Sequence, residues 1–304
     1  MTENGVHHKI VRSVLRWYDR NGRRLPWRGI RNPYRILVAE IMLQQTQTGR
    51  VTEKYRPFLK KFPTLRSLAE APLRNVIVAW GGMGYNNRAV RLHALARELM
   101  NHQGGKLPAH EDELRSLPGI GPYTAAALMV AVHGTPVPVV DINVRRFLSR
   151  VCWPMHHLND VQSEAVIWQK AGELLPKQRV YDWTQALMDM GATVCTARNP
   201  DCTSCPVSGL CASKEGMLRV LRPSSKREQG RGGIPNRIFR GRVVDLLRER
   251  AGRKCLPIGE IGNRIYPGFS TRDASWLEGL LHDLQKDGLV KIRASRIPPC
   301  VSLG

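Results

Sequence analysis

Apolar residues recur at intervals of three and four positions through residues 10–188, with interruptions at Pro and Gly. This spacing places the apolar side chains on one face of a helix. It predicts helices at Ile10–Tyr18, Tyr34–Gln45, Leu73–Trp80, Asn87–Met100, Tyr123–His133 and Asn143–Val151. No stretch in this part alternates as a half-buried strand does, so an all-α fold is expected there.

The pattern changes after Cys211. Residues 222–236 combine Pro, Gly, Ser and charge, which is typical of a linker. Beyond them the pattern predicts three helices and two strands, at Ile238–Arg250, Ile258–Ile265, Thr271–Gln285, Leu289–Arg293 and Cys300–Leu303. This is the order of a winged-helix domain, whose third helix often enters the DNA major groove. A wing-like fold that contacts protein is the alternative.

The pattern divides the chain into three expected segments. They are an all-α domain at residues 1–216, a basic linker at 217–236 and a small winged-helix-like α+β domain at 237–304.

The charge is strongly positive and is spread along the chain. There are 47 Lys and Arg against 25 Asp and Glu, a net charge of +22. Residues 217–304 hold 18 of the basic residues and 8 of the acidic ones, so both parts carry an excess. Such a field attracts polyanions, of which nucleic acid is the commonest in the cytoplasm. Ribosomal proteins and proteins that bind anionic membranes share this property.

Neither a membrane span nor a signal peptide is expected. The sequence has no run of 18 apolar residues, and the stretch Met1–Ile10 lacks the apolar centre of a signal peptide. We therefore expect a cytoplasmic protein associated with the nucleoid, or a nuclear one.

Four of the seven cysteines fall within 17 residues, and Cys152, Cys255 and Cys300 are scattered. Because the chain has no secretion signal, the clustering predicts a metal site rather than disulfides. Zinc is the commonest structural metal for four thiolates, so the spacing alone favours zinc. The clustered residues are Cys195, Cys202, Cys205 and Cys211.

A glycine-containing turn separates two predicted helices at Leu117–Thr124, with the sequence LPGIGPYT. Gly119 and Gly121 allow a tight turn whose N–H groups point outward at the start of a helix, which suits a DNA phosphate. About 20 residues downstream, Asp141 is positioned to cap the next helix. A carboxylate fixed in this way can also stabilise a cation on a deoxyribose ring.

A second carboxyl group, Glu40, lies in a predicted helix with the apolar residues Ile36 and Leu43 on the same face. A desolvated carboxyl holds its proton closer to neutral pH, so Glu40 is a candidate proton donor. The alternative is a buried glutamate bonded to a backbone group.

These features resemble the helix-hairpin-helix superfamily of DNA glycosylases, and within it the MutY-type adenine glycosylases. The resemblance covers residues 10–215. Besides the hairpin and Asp141, it is carried by Leu25–Arg28, Glu40–Gln47, Trp80–Tyr85 and Met188–Ala192. The spacing Cys-x6-Cys-x2-Cys-x5-Cys at residues 195–211 matches the cluster loop of MutY and endonuclease III. The resemblance therefore replaces zinc by a 4Fe-4S cluster that braces a basic loop against DNA.

The resemblance implies a two-lobed fold and a division of labour between the two carboxyl groups. Glu40 would protonate N7 of adenine, and Asp141 would stabilise the oxocarbenium ion, with support from Tyr123 and Asn143. Bifunctional relatives have a lysine at position 123 as a Schiff-base nucleophile. Tyr123 therefore implies a monofunctional enzyme without strong lyase activity.

The target base must be flipped out of the duplex. The resemblance implies an adenine pocket formed by Trp27, Arg28, Leu43 and Gln185. It also implies that Gln45 and Tyr85 wedge into double-stranded DNA beside the orphaned base, and that a monomer removes adenine opposite 8-oxoguanine or guanine.

Two features depart from the MutY pattern. The Nudix-like C-terminal domain usual in that family is not recognisable, and the usual Tyr-Tyr pair is Tyr85-Asn86, as in the endonuclease III and thymine-glycosylase branches. Thymine or uracil opposite guanine, or a damaged or cross-linked purine, therefore remain alternative substrates. A non-catalytic DNA-binding protein is the alternative from another class, against which Glu40, Asp141 and Tyr123 all argue.

Overall fold

A computed structural model describes residues 3–154, 162–217, 230–249, 255–294 and 298–304. The chain divides into two compact units. The first unit comprises Met1–Asn32, Ala109–Arg115 and Ile120–Ser225. The second unit comprises Pro33–Pro108, Ser116–Gly119 and Lys226–Gly304.

The secondary-structure elements in the described part of residues 3–217 are all helical, as predicted. No described helix is both long enough and apolar enough to cross a membrane. The α-helices in chain order are α1 (Glu3–Asn21), α2 (Pro33–Leu43), α3 (Thr48–Lys61), α4 (Leu65–Ala69), α5 (Leu73–Ala79), α6 (Asn87–His102), α7 (Glu111–Ser116), α8 (Pro122–Leu128), α9 (Ile142–Cys152), α10 (Glu164–Glu173), α11 (Val180–Asp189) and α12 (Lys214–Met217).

All six predicted helices of this part are present, with differences at their ends. The first begins at Glu3 instead of Ile10, and the second ends at Leu43, so Gln45 lies outside it. Helices α8 and α11 each continue as one π-helical turn, Met129–His133 and Met190–Val194.

The apolar faces of α1, α9, α10 and α11 pack together and form the core of the first unit. Val14, Phe147, Ile167 and Trp183 are almost completely buried there. Helix α9 has apolar residues at three- and four-residue spacing, so one face enters this core while its N-terminus remains accessible.

In the second unit, α2 is buried along nearly its whole length and contacts α3 and α6. Its sequence, PYRILVAEIML, is apolar on most sides, as expected for a central helix. Phe58 packs against Trp80 edge to face, with ring centroids 5.8 Å apart. Glu40 is the charged residue among the buried positions of α2.

Residues 230–304 contain short strands and three helices. The elements are β1 (Gly230–Arg231), β2 (Ile234–Pro235), α13 (Asn236–Glu249), β3 (Leu256–Pro257), α14 (Ile258–Ile265), α15 (Ala274–Lys286), β4 (Val290–Arg293) and β5 (Cys300–Leu303). Strands β3, β5 and β4 form an antiparallel sheet in that order.

This arrangement has the helix order and closing hairpin of the predicted winged-helix pattern. The sequence did not reveal β1, β2 or β3, because two-residue strands carry no alternating pattern. The borders at residues 216 and 236 remain a prediction, since 218–229 lie outside the described residues.

The tail, residues 230–304, shares its core with the helical part of the second unit. Phe239, Val243 and Leu277 are fully buried together with Ile77 of α5. Arg248 donates hydrogen bonds to the Ile77 carbonyl at 3.1 Å and to Oδ1 of Asn86 at 2.7 Å. The tail is therefore docked by both apolar packing and buried polar contacts.

A disulfide joins Cys255 to Cys300, beside the β3–β5 pairing. The sequence analysis treated both cysteines as scattered. Their 45-residue separation explains why no local pattern identified the pair.

We expect Phe239→Ala to destabilise the second unit by about 3 kcal/mol or more, because it opens a cavity in a closely packed core. Urea denaturation followed by circular dichroism measures the effect. Ile238→Ala is the matched control, since Ile238 is 39% exposed while Phe239 is 0% exposed. Equal losses for the two variants would contradict the assignment of this core.

Candidate active site

Asp141 is the N-cap of α9, as the sequence predicted. Its Oδ1 accepts a hydrogen bond from the backbone N–H of Val144 at 2.6 Å, and its Oδ2 accepts one from Nδ2 of Asn143 at 2.9 Å. These two bonds fix the orientation of the carboxylate at the start of the helix. A negative charge in this position is also favoured by the helix dipole.

Asn143 is itself held by Arg146, one turn along α9. Nη2 of Arg146 donates to Oδ1 of Asn143 at 2.8 Å, and its Nε donates to the carbonyl of Cys195 at 2.9 Å. A continuous chain of hydrogen bonds therefore leads from Asp141 through Asn143 and Arg146 to the cysteine loop.

Gly191 packs directly against Asn143, and no larger residue fits. A Cβ at position 191 would lie 2.6 Å from Cβ of Asn143 and 2.7 Å from its carbonyl oxygen. The carbonyl of Gly191 also accepts from Arg146. The sequence analysis noted the segment Met188–Ala192 as a resemblance but gave Gly191 no role.

Tyr123 lies in the first turn of α8, in the same unit as Asp141. Its ring packs on a small apolar cluster that includes Ala127 and Val139, and its hydroxyl lies 4.0 Å from Sδ of Met188. Tyr123 offers no amine for a Schiff base.

Two predicted pocket residues, Arg28 and Gln185, are linked to one buried carboxylate, Asp189, which was not among the predicted site residues. Arg28 forms a bidentate ion pair with Asp189, at 2.7 Å for each contact, and donates from Nε to Oε1 of Gln185 at 2.7 Å. Arg23 donates to the same carboxylate through its side chain and backbone. Trp27, which precedes Arg28 in the sequence, is also buried. Arg28 thus orients Gln185.

The pKa of Asp189 reflects two opposing effects. Burial by itself raises the pKa of this carboxyl, but hydrogen bonds from Arg28 and from the backbone of Arg23 outweigh it. The pKa of Asp189 is therefore held below the usual aspartate value, and Asp189 is ionised at neutral pH. A buried acid within the apolar face of α11 was the sequence signal that could have identified it.

Four candidate residues, Glu40, Leu43, Gln45 and Tyr85, belong to the second unit. Glu40 is 8% exposed and lies within α2, among the buried residues that were expected to surround it. Leu43 is half-buried at the end of this helix. Gln45 and Tyr85 are exposed, and both have a positive φ, 54° and 41° respectively. A positive φ in a non-glycine residue is strained and persists only where neighbouring contacts enforce it.

Arg88 supplies the contacts that hold both strained loops. Its buried guanidinium donates to the carbonyls of Ile41, Met42 and Gln44 at the end of α2. It also donates to carbonyls of Met83, Gly84 and Tyr85 in the other loop. Burial lowers the pKa of Arg88 to about 10, so the guanidinium stays charged at neutral pH. The sequence analysis missed this residue.

The hairpin between α7 and α8 has the conformation that its glycines predicted. Gly119 has φ +80°, and a Cβ there would meet the side chain of Arg91 at 3.3 Å. Its carbonyl accepts from Nε2 of Gln44 at 3.2 Å. Gly121 is the N-cap of α8 and provides no side-chain cap. The first N–H groups of that helix therefore receive no hydrogen bond from a cap side chain.

The four clustered cysteines line one small cavity of about 20 Å³ in the first unit. Arg150 of α9 lines the same cavity and donates to Sγ of Cys195 at 3.4 Å and to the carbonyl of Thr196 at 2.7 Å. Cys211 in turn donates to the Arg150 carbonyl at 3.2 Å. The helix capped by Asp141 therefore also holds the cysteine loop.

This cavity fits an anionic thiolate-bound cluster. Nε of Arg150 is a buried donor with no hydrogen-bond partner among the described residues. Burial raises the pKa of Cys205 to about 11, so a cationic centre is needed to make this residue a thiolate. The four cysteines around this cavity are the four thiolate ligands that a 4Fe-4S cluster requires.

Comparisons with known proteins agree with this geometry. Residues 38–172 match the HhH-GPD superfamily base excision DNA repair protein, and residues 195–211 match the iron-sulfur binding domain of endonuclease III. The chain is 37% identical over 249 residues to an adenine DNA glycosylase of Mycobacterium tuberculosis (strain CDC 1551 / Oshkosh), covering 80% of each protein.

A human adenine DNA glycosylase is 39% identical over 212 residues, which are 67% of this chain but only 39% of the human protein. Among solved structures, a thermostable thymine-DNA glycosylase has a TM-score of 0.64 and 31% identity, covering 70% of this chain and 98% of that one.

The fold and the site together define a DNA-binding base excision repair enzyme of the helix-hairpin-helix class, with an endonuclease III-type loop that carries a 4Fe-4S cluster. Within this class, the chain belongs to the adenine DNA glycosylase family. Zinc, which the cysteine spacing alone favoured, is replaced by iron and sulfur.

We expect Asp189→Asn to lower stability by about 3 kcal/mol at neutral pH, because it leaves the buried Arg28 without its counter-charge. A carboxyl with a lowered pKa stabilises the fold above its ordinary pKa and ceases to do so as the pH falls through the lowered value. The melting-temperature difference from the wild type should therefore be constant between about pH 6 and about pH 8 and shrink below about pH 4. A difference that grows in acid would contradict the pair.

We expect the purified protein to be brown and to absorb near ~400 nm, since iron–sulfur clusters bound by thiolates are coloured. Elemental analysis for iron, sulfide and zinc accompanies the spectrum. Cys205→Ser should lose the colour, whereas Cys152→Ser, outside the cavity, should retain it. Colourless wild-type protein that contains zinc would refute the cluster.

Proposed function

We propose that the protein is a monofunctional DNA glycosylase that hydrolyses the N-glycosidic bond of adenine mispaired with 8-oxoguanine or guanine. It acts as a monomer on double-stranded DNA in the nucleoid or the nucleus. The observation that carries this proposal is the Asp141 carboxylate, fixed at a helix N-terminus by Val144 and Asn143, in a chain that matches an adenine DNA glycosylase over 80% of both proteins.

The reaction divides between two carboxyl groups in different surroundings. Glu40, buried in α2, donates its proton to N7 of the flipped adenine, and the C1′–N9 electron pair leaves with the base. Asp141 stabilises the positive charge that develops on the deoxyribose ring. Water then adds to C1′, and its proton passes to Glu40, which restores the starting state. The products are free adenine and an abasic site.

Tyr123 limits the reaction to hydrolysis. A lyase cleaves the strand after an amine forms a Schiff base at C1′, and a phenol cannot form that bond. The abasic strand is therefore released intact. Cys195, Cys202, Cys205 and Cys211 would hold the cluster, and Arg146 and Arg150 fix the cysteine loop to α9.

The second candidate substrate is thymine mispaired with guanine. It is favoured by the 31% identity to a thymine-DNA glycosylase structure and by the pair Tyr85-Asn86. The same two carboxyl groups, Glu40 and Asp141, would act on this substrate. It differs from the first candidate in the base that the pocket must accommodate.

The test is single-turnover release of free base from a panel of duplexes. The panel contains adenine opposite 8-oxoguanine, guanine and cytosine, thymine and uracil opposite guanine, and an alkylated purine. We expect release of adenine opposite 8-oxoguanine or guanine, with strand cleavage only after alkali treatment. Release of thymine but not adenine would transfer the proposal to the second candidate, and cleavage without alkali would refute the monofunctional assignment.

Asp141→Asn is the matched variant, because asparagine caps a helix about as well as aspartate and keeps the fold. We expect base release to be nearly abolished while the affinity for DNA changes by no more than about 1 kcal/mol, since phosphate contacts dominate affinity. Unchanged base release would refute the role of Asp141. A wild-type protein that binds every duplex and releases no base would be a non-catalytic DNA-binding protein.

A further inference from the structure

A groove of about 780 Å³ lies within the second unit, between the first helix of the tail and the two strained loops. One wall consists of Gln45–Gln47 with Arg50 and of Met83–Asn87. The other wall is the outer face of α13, with Arg237, Ile238, Arg240, Gly241 and Arg242. We call it the α13 groove. Nothing in the catalytic proposal uses its tail wall.

The position of the tail wall is fixed by buried contacts on the opposite face of α13. Phe239 and Val243 enter the shared core, and Arg248 bonds to Ile77 and Asn86. Arg240 additionally pairs with Asp287 at the end of α15. The groove is therefore a preformed feature of the second unit.

The lining of the α13 groove is basic. Four arginines and two aspartates line it, which gives a net charge of +2. Both aspartates are already engaged by arginines, Asp287 by Arg240 and Asp245 by Arg248. The Arg240–Asp287 pair therefore contributes no net charge, and the excess positive charge of the lining comes from Arg50, Arg237 and Arg242.

The groove also contains exposed apolar surface. Among the described residues four large apolar side chains are exposed, and two of them, Tyr85 at 50% and Ile238 at 39%, line this groove. An aromatic ring and an aliphatic side chain between arginines match the chemistry of a nucleic-acid strand, whose bases and sugars are flanked by phosphates.

We propose that the α13 groove is a DNA-binding site in which phosphates of a strand adjoining the excised nucleotide contact the arginines of α13, while sugars and bases face Tyr85 and Ile238. The placement beside the excised nucleotide rests on the proposed function. The tail then binds DNA through its first helix, and not through α15, the helix that the winged-helix pattern places in the major groove.

Two glycines allow a test that leaves the fold intact. Gly241 lies in α13 and lines the groove, whereas Gly279 lies in α15 and does not. A Cβ added at either position meets nothing within 4 Å. Glycine is also a poor helix former, so replacement favours both helices. The variants are Gly241→Glu, Gly241→Lys and, as the matched control, Gly279→Glu.

The full-length, cluster-containing protein is titrated with an undamaged duplex and with a duplex that contains adenine opposite 8-oxoguanine. We expect Gly241→Glu to raise Kd roughly tenfold at low salt, and by less at about 0.15 M salt, because the introduced charge repels phosphate and is screened. Gly241→Lys should bind at least as tightly as the wild type, and Gly279→Glu should remain within about twofold of it.

Equal Kd values for the glutamate and lysine variants at position 241 would overturn the proposal. So would a loss confined to Gly279→Glu, which would assign the contact to α15. If the wild type releases no base, the proposed function fails, but the Kd comparison on undamaged duplex still tests the groove.

Discussion

Burying a guanidinium is costly unless most of its five N–H groups find acceptors, and this constraint organises both units. Arg88 is 4% exposed and donates hydrogen bonds to backbone carbonyls of two separate loops. These bonds hold Gln45 and Tyr85 in their positive-φ conformations. Arg28 meets the same requirement with Asp189 and Gln185. Because each buried arginine needs hydrogen-bond acceptors, its hydrogen bonds fix the positions of candidate site residues.

Helix α9 combines the two functions of the first unit. Its N-terminus presents Asp141, and its arginines at positions 146 and 150 hold the cysteine loop through backbone carbonyls and a thiol. The cysteine loop and the candidate carboxylate Asp141 therefore share one helix. Because Arg146 bonds to both the cysteine loop and Asn143, loss of the cluster is expected to disturb the hydrogen bonds of Asn143.

The tail is a structural part of the second unit as well as a candidate DNA contact. It completes an apolar core around Ile77, and the same docking places α13 opposite the loops of Gln45 and Tyr85. The matches to the two family models end at residue 211. The tail, which lies beyond both family models, thus adjoins residues that the resemblance assigns to the DNA duplex.

Local sequence determined the helices, the hairpin glycines, the Asp141 cap and the clustered cysteines, because each depends on residues close together in the chain. Only the tertiary structure identified Asp189 as the partner of Arg28, 161 residues away, and the fit of Gly191 against Asn143. The Cys255–Cys300 disulfide and the α13 groove were likewise identified only from the tertiary structure. The periodicity of apolar residues shows which face of a helix or strand is buried, but not which distant element packs against that face. These contacts depend on which elements pack together, so the sequence pattern could not predict them.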